Sequence, residues 1–252
     1  MALSGSTDFT VNREQLVTAA LRICNVAGTG QTPSAEDMAD GVQAFNMLIK
    51  SWQADGLQLF ARRRVSLLLE KNVSKYTLST TGHYATYSEN LNTTTVKVAA
   101  VATDTTIDVT TTTGMTAGDY IAFVLDDGTL HKTTIVSVTD GDTVVITTGL
   151  ASAAAIGNRV WWFTNKITRP QRVLQALLRD SNDLDTEVTC ISQNEYWALS
   201  AKTNDGRVNQ VYYDPQYDAG YLYVWPQTDT VTSTVELIIQ KPFDDLDAST
   251  NN

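Results

Sequence analysis

The sequence is poor in the side chains that most often carry chemistry. Its 252 residues include two histidines, His83 and His131, and two cysteines, Cys24 and Cys190. No Cys-x-x-Cys pair occurs, so a structural zinc site would have to be assembled from scattered parts. Both cysteines have apolar neighbours (Ile23 and Val26; Val188 and Ile191), which predicts two free thiols in a core. Each histidine lacks a serine motif beside it and is read as solvent-facing. No catalytic residue, metal ligand or cofactor site is assigned, and the expectation is a protein that is not an enzyme.

Basic residues are also scarce. Eighteen Lys and Arg stand against 28 Asp and Glu, a formal net charge of −10. Strong nonspecific attraction to nucleic acid or to an anionic membrane is therefore not expected. No apolar run approaches the roughly 18 residues that span a bilayer, and Met1–Thr10 lacks the basic start and apolar stretch of a secretion signal. These absences predict a soluble chain made in a reducing compartment. What remains is a 42% hydrophobic, 18% charged composition, which suits a folded chain of one to two domains.

The pattern divides the chain into three stretches. Asn12 with Gln15 forms a capping box, and Leu16, Ala20, Ile23 and Ala27 recur at helical spacing, predicting a helix over 13–27 stopped by Gly28. Pro33 and Ser34 open a second helix that runs to Asp55-Gly56, with Met38, Val42, Phe45, Ile49 and Trp52 on one face. Val65, Leu67 and Leu69 then alternate as a strand, with 75–78 as its possible partner. Between about 90 and 164 threonine crowds the sequence and no helical period survives. Strands are predicted there at 95–101, 106–110, 119–125, 130–138, 143–147 and 158–163, separated by turns such as Asp127-Gly128 and Asp140-Gly141. Beyond Arg169-Pro170 strands are predicted at 172–178, 186–191, 208–213, 220–225 and 233–240, with a short helix at 193–201. The fold expected is α+β: an N-terminal helical pair and a small antiparallel sheet form a host domain (1–89 and 165–252), carrying an inserted all-β barrel or sandwich module at 90–164.

Weighed singly, the remaining motifs are bland. Gly28-Thr29-Gly30 follows a helix and reads as a helix–helix turn, not a nucleotide loop. The loop of Asp180, Asn182, Asp183, Asp185 and Glu187 could clasp calcium but lacks the glycine and spacing of a calcium loop. Arg62-Arg63-Arg64 is the one basic run; it suits a carboxylate-rich partner or a phosphate backbone, and reads equally as a plain solvated edge. The aromatic cluster Tyr196, Trp197, Tyr212, Tyr213, Tyr217, Tyr221, Tyr223 and Trp225 reads as core or protein interface. Sugar stacking by these rings, with the β module acting as a lectin, is the alternative.

The stretch from Ala19-Ala20-Leu21-Arg22-Ile23-Cys24-Asn25-Val26-Ala27-Gly28 through Thr32-Pro33-Ser34-Ala35-Glu36 to Leu48-Ile49-Lys50-Ser51-Trp52-Gln53-Ala54-Asp55-Gly56-Leu57 resembles the start of the head-to-tail adaptor proteins of tailed bacteriophages. These include the tail tubular protein A and packaged-DNA-stabilising families of short-tailed phages. Arg169-Pro170, Tyr212-Tyr213-Asp214-Pro215-Gln216, Leu222-Tyr223-Val224-Trp225-Pro226 and Gln240-Lys241-Pro242-Phe243-Asp244-Asp245 follow in the order such adaptors show. The resemblance implies a structural virion protein at the head–tail junction, made in the bacterial host cytoplasm. It would form a ring, typically of twelve copies, seated below the portal and above a tail nozzle or tube. Genomic DNA would pass through without sequence readout and without a membrane partner. The β module is larger than compact members need, and its role is not carried over. The partner-interface candidates are Met38, Val42, Phe45, Arg62, Arg63, Arg64, Tyr212, Tyr213, Asp244 and Asp245.

Overall fold

A computed structural model describes residues 11–28, 30–55 and 61–243. The chain divides into two compact units, Met1–Phe60 with Pro242–Asn252, and Ala61–Lys241. It is a mixed helix-and-sheet protein in which sheet dominates.

The first unit holds α1 (Arg13–Ile23) and α2 (Ala35–Ala54). Asn12 and Gln15 form the reciprocal capping box that the sequence announces. The helix ends at Ile23, four residues before the predicted Ala27. Asn25 adopts φ 57°, a left-handed conformation Asn tolerates, and Val26 N–H turns back to the Leu21 carbonyl. Ser34 caps α2 by accepting from Asp37 N–H at 3.1 Å. The helices meet at Gly41, where an added Cβ would come 2.5 Å from Val17 Cγ1. Glycine there permits a close approach that a stiff valine could not otherwise allow.

The second unit contains two sheets. The larger has the order β2-β13-β12-β11-β10-β14-β1-β3. Its strands are β1 (Arg62–Leu68), β2 (Lys75–Leu78), β3 (Ala85–Tyr87), β10 (Arg172–Arg179), β11 (Asp185–Cys190), β12 (Gln210–Pro215), β13 (Gly220–Trp225) and β14 (Thr234–Gln240). Val65, Leu67 and Leu69 share one buried cluster with Leu237 and Ile239 from β14 and with Tyr76, Leu222 and Val224 from the far end of the sheet. A sheet whose opposite ends contribute to one core is strongly curled. The edge strands β2 and β3 are tied by His83, whose N–H donates to the Thr77 carbonyl and whose Nδ1 accepts from Thr77 N–H, both at 2.9 Å. The segment 75–78 therefore pairs with β13, not with β1. Long-range pairing there overrides the hairpin that proximity in sequence suggests.

The smaller sheet has the order β4-β9-β6-β7-β8-β5. Its strands are β4 (Asn92–Thr95), β5 (Thr106–Asp108), β6 (Tyr120–Val124), β7 (Leu130–Val138), β8 (Thr143–Ile146) and β9 (Arg159–Phe163). Lys97 N–H to the Asp108 carbonyl and Thr110 N–H to the Thr95 carbonyl, each 2.8 Å, draw its edges β4 and β5 together and all but close a barrel. Val96, Ile107, Ile121, Phe123, Ile135, Val144 and Val160 fill it. The strand expected at 95–101 is displaced to 92–95. From Val98 the chain leaves the barrel wall and is held by a single bridge, Ala100 to Ala154.

A third cluster joins sheet to barrel. Leu68, Tyr84 and Val231 meet Ala122, Val124, Trp161 and Phe163. This explains why β1 is buried at four successive residues, Val65 to Leu68: one face turns to the curled core and the other to the barrel. Tyr84 Oη donates to the Thr133 carbonyl at 2.6 Å, and Lys132 pairs with Glu70 at 2.6 Å. The helix expected at 193–201 is α3 (Gln193–Ala198), capped by Ser192 and Glu195.

Candidate partner interfaces

On α2 the apolar stripe is only partly covered. Val42 is buried, Met38, Phe45 and Ile49 are half-buried, and Trp52 is exposed. Beside it, Leu16, Ala20 and Leu21 of α1 face Ala44, Phe45 and Leu48 of α2 across an open groove of about 280 Å³. Cys24 lines its end and is exposed, as is Cys190. Both thiols are free as expected, but neither lies in a core. Cys24 falls in the turn that closes α1 early, and Cys190 ends β11 at the edge of a second cavity.

The arginine run is largely spent within the protein. Arg64 Nε lies 3.0 Å from Glu236 Oε2 and its Nη2 3.3 Å from Asp185, while Arg63 lies 3.6 Å from Glu89. Arg62 is exposed. Glu236, 2% exposed, also accepts from Ser88 Oγ at 2.8 Å and from Thr234 Oγ1 at 3.1 Å. A buried carboxylate is tolerable only when its oxygens are so occupied. It forms one wall of a polar cleft of about 160 Å³ between sheet and barrel, to which Arg159 and Arg179 also contribute.

The aromatic candidates separate by strand alternation. Tyr213 turns toward the curled core and its hydroxyl donates to the Pro170 carbonyl. Tyr212 is on the other face, opposite Tyr223, with ring centroids 5.6 Å apart at 17°. Tyr196 and Trp197 of α3 pack on this pair. Lys75 Nζ covers Tyr221 at 3.8 Å, and Lys202 covers both Tyr196 and Trp197. These rings are thus engaged by one another and by ammonium groups, whereas Tyr217, expected in the same cluster, is 94% exposed at the turn before β13. No family model matches the chain, and no curated protein does.

Met38, Val42 and Phe45 belong to the first unit, the arginines and tyrosines to the second. Within the large sheet the arginines on β1 and the tyrosines on β12 are separated by β14, β10 and β11. Asp244 and Asp245 lie outside the described residues. His83 is half-buried rather than solvent-facing, packed edge-on against Tyr76. Its Nδ1 accepts from Thr77, so the neutral ring carries its proton on Nε2, 3.8 Å from Glu70. Burial, more than the opposing pull of Glu70 and the push of Lys132 and Lys166, holds its pKa below the ordinary value. His131 is also partly covered, with Nε2 3.1 Å from the Thr148 carbonyl. In the acidic loop, Asp180 Oδ1 accepts the N–H groups of Asn182 and Leu184, the arrangement of a self-capping turn. Sequence reading missed one surface, the exposed aliphatic loops around Val101 and Ile156. Its signal was present: two alanine-rich runs without charge.

Proposed function

We propose that the protein is a structural connector of a tailed bacteriophage, a ring that joins the portal to the tail, extends the DNA channel and helps retain the packaged genome. The observation that carries this reading is the order of its adaptor-like segments. The first runs from the second half of α1 to the end of α2 and the residues after it. The later ones coincide with the approach to β10, with β12, with β13 and with the end of β14. None lies in the barrel, so the barrel decorates a connector framework.

The chemistry is mechanical. An apolar groove that the described residues of the helical pair leave open supports docking to a neighbour, since contiguous apolar surface is costly to leave in water. A net charge of −10 per copy suits a conduit whose wall does not trap phosphate. No described helix is long and apolar enough to cross a membrane. The test is to image the purified protein alone and mixed with portal rings. An added ring on the portal is expected, and no ring in either sample would refute the proposal.

A further inference from the structure

The His83 ring has a different neighbour at each nitrogen. Nδ1 accepts the Thr77 N–H at 2.9 Å, and the His83 N–H donates to the Thr77 carbonyl at 2.9 Å. These two bonds fasten the turn at 79–83 to β2 on the edge away from its partner β13. Gly82 packs directly on the same carbonyl, where an added Cβ would find no room. Nε2 lies 3.8 Å from Glu70 Oε1, beyond hydrogen-bond reach. That oxygen is buried and has no hydrogen-bond partner among the described residues.

Protonation cannot leave this arrangement intact. An imidazolium carries hydrogen on both nitrogens and has no acceptor, so no rotation of the ring restores the bond from Thr77. Two donors would face each other, and a backbone N–H left without a partner is costly. The added charge has one carboxylate to turn to, that of Glu70 just after β1. Lys132 of β7 and Lys166, between β9 and β10, also face the ring, and both oppose a further positive charge. Lys132 is held by the second oxygen of Glu70 at 2.6 Å, which leaves Oε1 to His83. Tyr76 of β2 packs edge-on against the ring and bonds the Glu70 backbone through its hydroxyl, and Lys166 Nζ donates to the Gly82 carbonyl at 2.6 Å. Neither tie uses Nδ1, so both persist and the change is local.

We propose that His83 is an acid-released latch: on gaining a proton its ring leaves the Thr77 N–H for Glu70, and the turn at 79–83 parts from the outer edge of β2. Opening bares the N–H and carbonyl of Thr77, the groups a strand edge uses to pair. The latch is a property of the folded chain alone and stands whether or not the chain forms a ring.

Amide exchange read by NMR from pH 7.5 to 5.5, corrected for the intrinsic rate, is the test. An opening that frees the ring takes up one proton, so Thr77 N–H protection should fall by up to tenfold for each pH unit below about 6.5. Low urea should leave this opening unmoved while it speeds exchange at Ile135, which is buried in the barrel and donates to the Asp119 carbonyl at 2.8 Å, because the urea slope scales with the surface exposed. His83→Asn offers an acceptor oxygen as many bonds from Cβ as Nδ1 and does not titrate, so Thr77 should stay protected at every pH. In Glu70→Gln the ring loses the carboxylate that favours its charge and should titrate at lower pH than in the parent. Constant Thr77 protection across this range, an equal fall in His83→Asn, or a Thr77 urea slope matching that of Ile135 would overturn the latch. So would a ring titration unmoved or raised in Glu70→Gln.

Discussion

Replacing Arg64 by methionine tests whether the arginine run is a binding surface or part of the fold. The guanidinium holds Glu236 at 3.0 Å and Asp185 at 3.3 Å, and Met keeps most of the apolar stem. Hydrogen bonds to charged groups are each worth roughly 1.5–3 kcal/mol, and breaking a fully buried pair costs about 3–5 kcal/mol. Here the Glu236 side chain is 2% exposed but Arg64 is 41% exposed, so water screens one partner and the lower range applies. Ser88 and Thr234 continue to serve the carboxylate. We expect Arg64→Met to cost about 2 kcal/mol in urea unfolding, with unchanged m-value, and to lower the melting temperature by about 2–4 °C per kcal/mol. Glu236→Gln alone should cost about 1 kcal/mol, and the double variant should cost about 1 kcal/mol less than the two singles together. An Arg64→Met protein within about 0.5 kcal/mol of the parent would refute the reasoning and return Arg64 to the pool of groups free for a partner.

Three further outcomes are expected. Because the folded-state pKa of His83 is depressed while an unfolded histidine titrates near 6.5, the unfolded chain binds more protons as pH falls; the associated stability is present above about pH 6.5 and lost toward the lower folded value. Urea midpoints from pH 7.5 to 5 should fall more steeply for the parent than for His83→Gln, and parallel curves would contradict this. Trp161→Ala, at the seam of sheet and barrel, should cost about 3–5 kcal/mol, and replacing 90–164 by a Gly/Ser linker should bare Leu68 and Tyr84 and yield a protein that binds a hydrophobic dye; a cooperative, dye-silent product would show that the seam contributes little. The proposed ring should bind duplex DNA weakly near physiological salt, and sub-micromolar affinity with a steep salt slope in a two-ionic-strength titration would show a DNA clamp instead.

The sequence by itself determined the features whose physics is local. The caps at Asn12 and Ser34 satisfy N–H groups within three residues, so they were readable along with both helices. The strand at 220–225, which alternates buried and half-buried residues, was readable because its aromatic and branched side chains suit a strand with one buried face, and 130–138 was readable from the turns that bound it. The early end of α1 was not, because a left-handed Asn25 intervenes before the periodic apolar residues run out. β3, three residues long, offers too few positions for any period to register.

Only the tertiary structure decided what each exposed-looking group faces. Arg64 and Glu236 are 172 positions apart and meet because β1 and β14 pair in antiparallel register, a contact no local rule encodes. His83 is shielded because the large sheet curls until its edge strands share that residue's backbone and ring. Tyr212 and Tyr213 go to opposite faces by alternation alone, but which face is core depended on the direction of that curl. Burial, charge pairing and the two uncharged surfaces are set by contacts distant in sequence, and their energies arise only when the chain closes on itself.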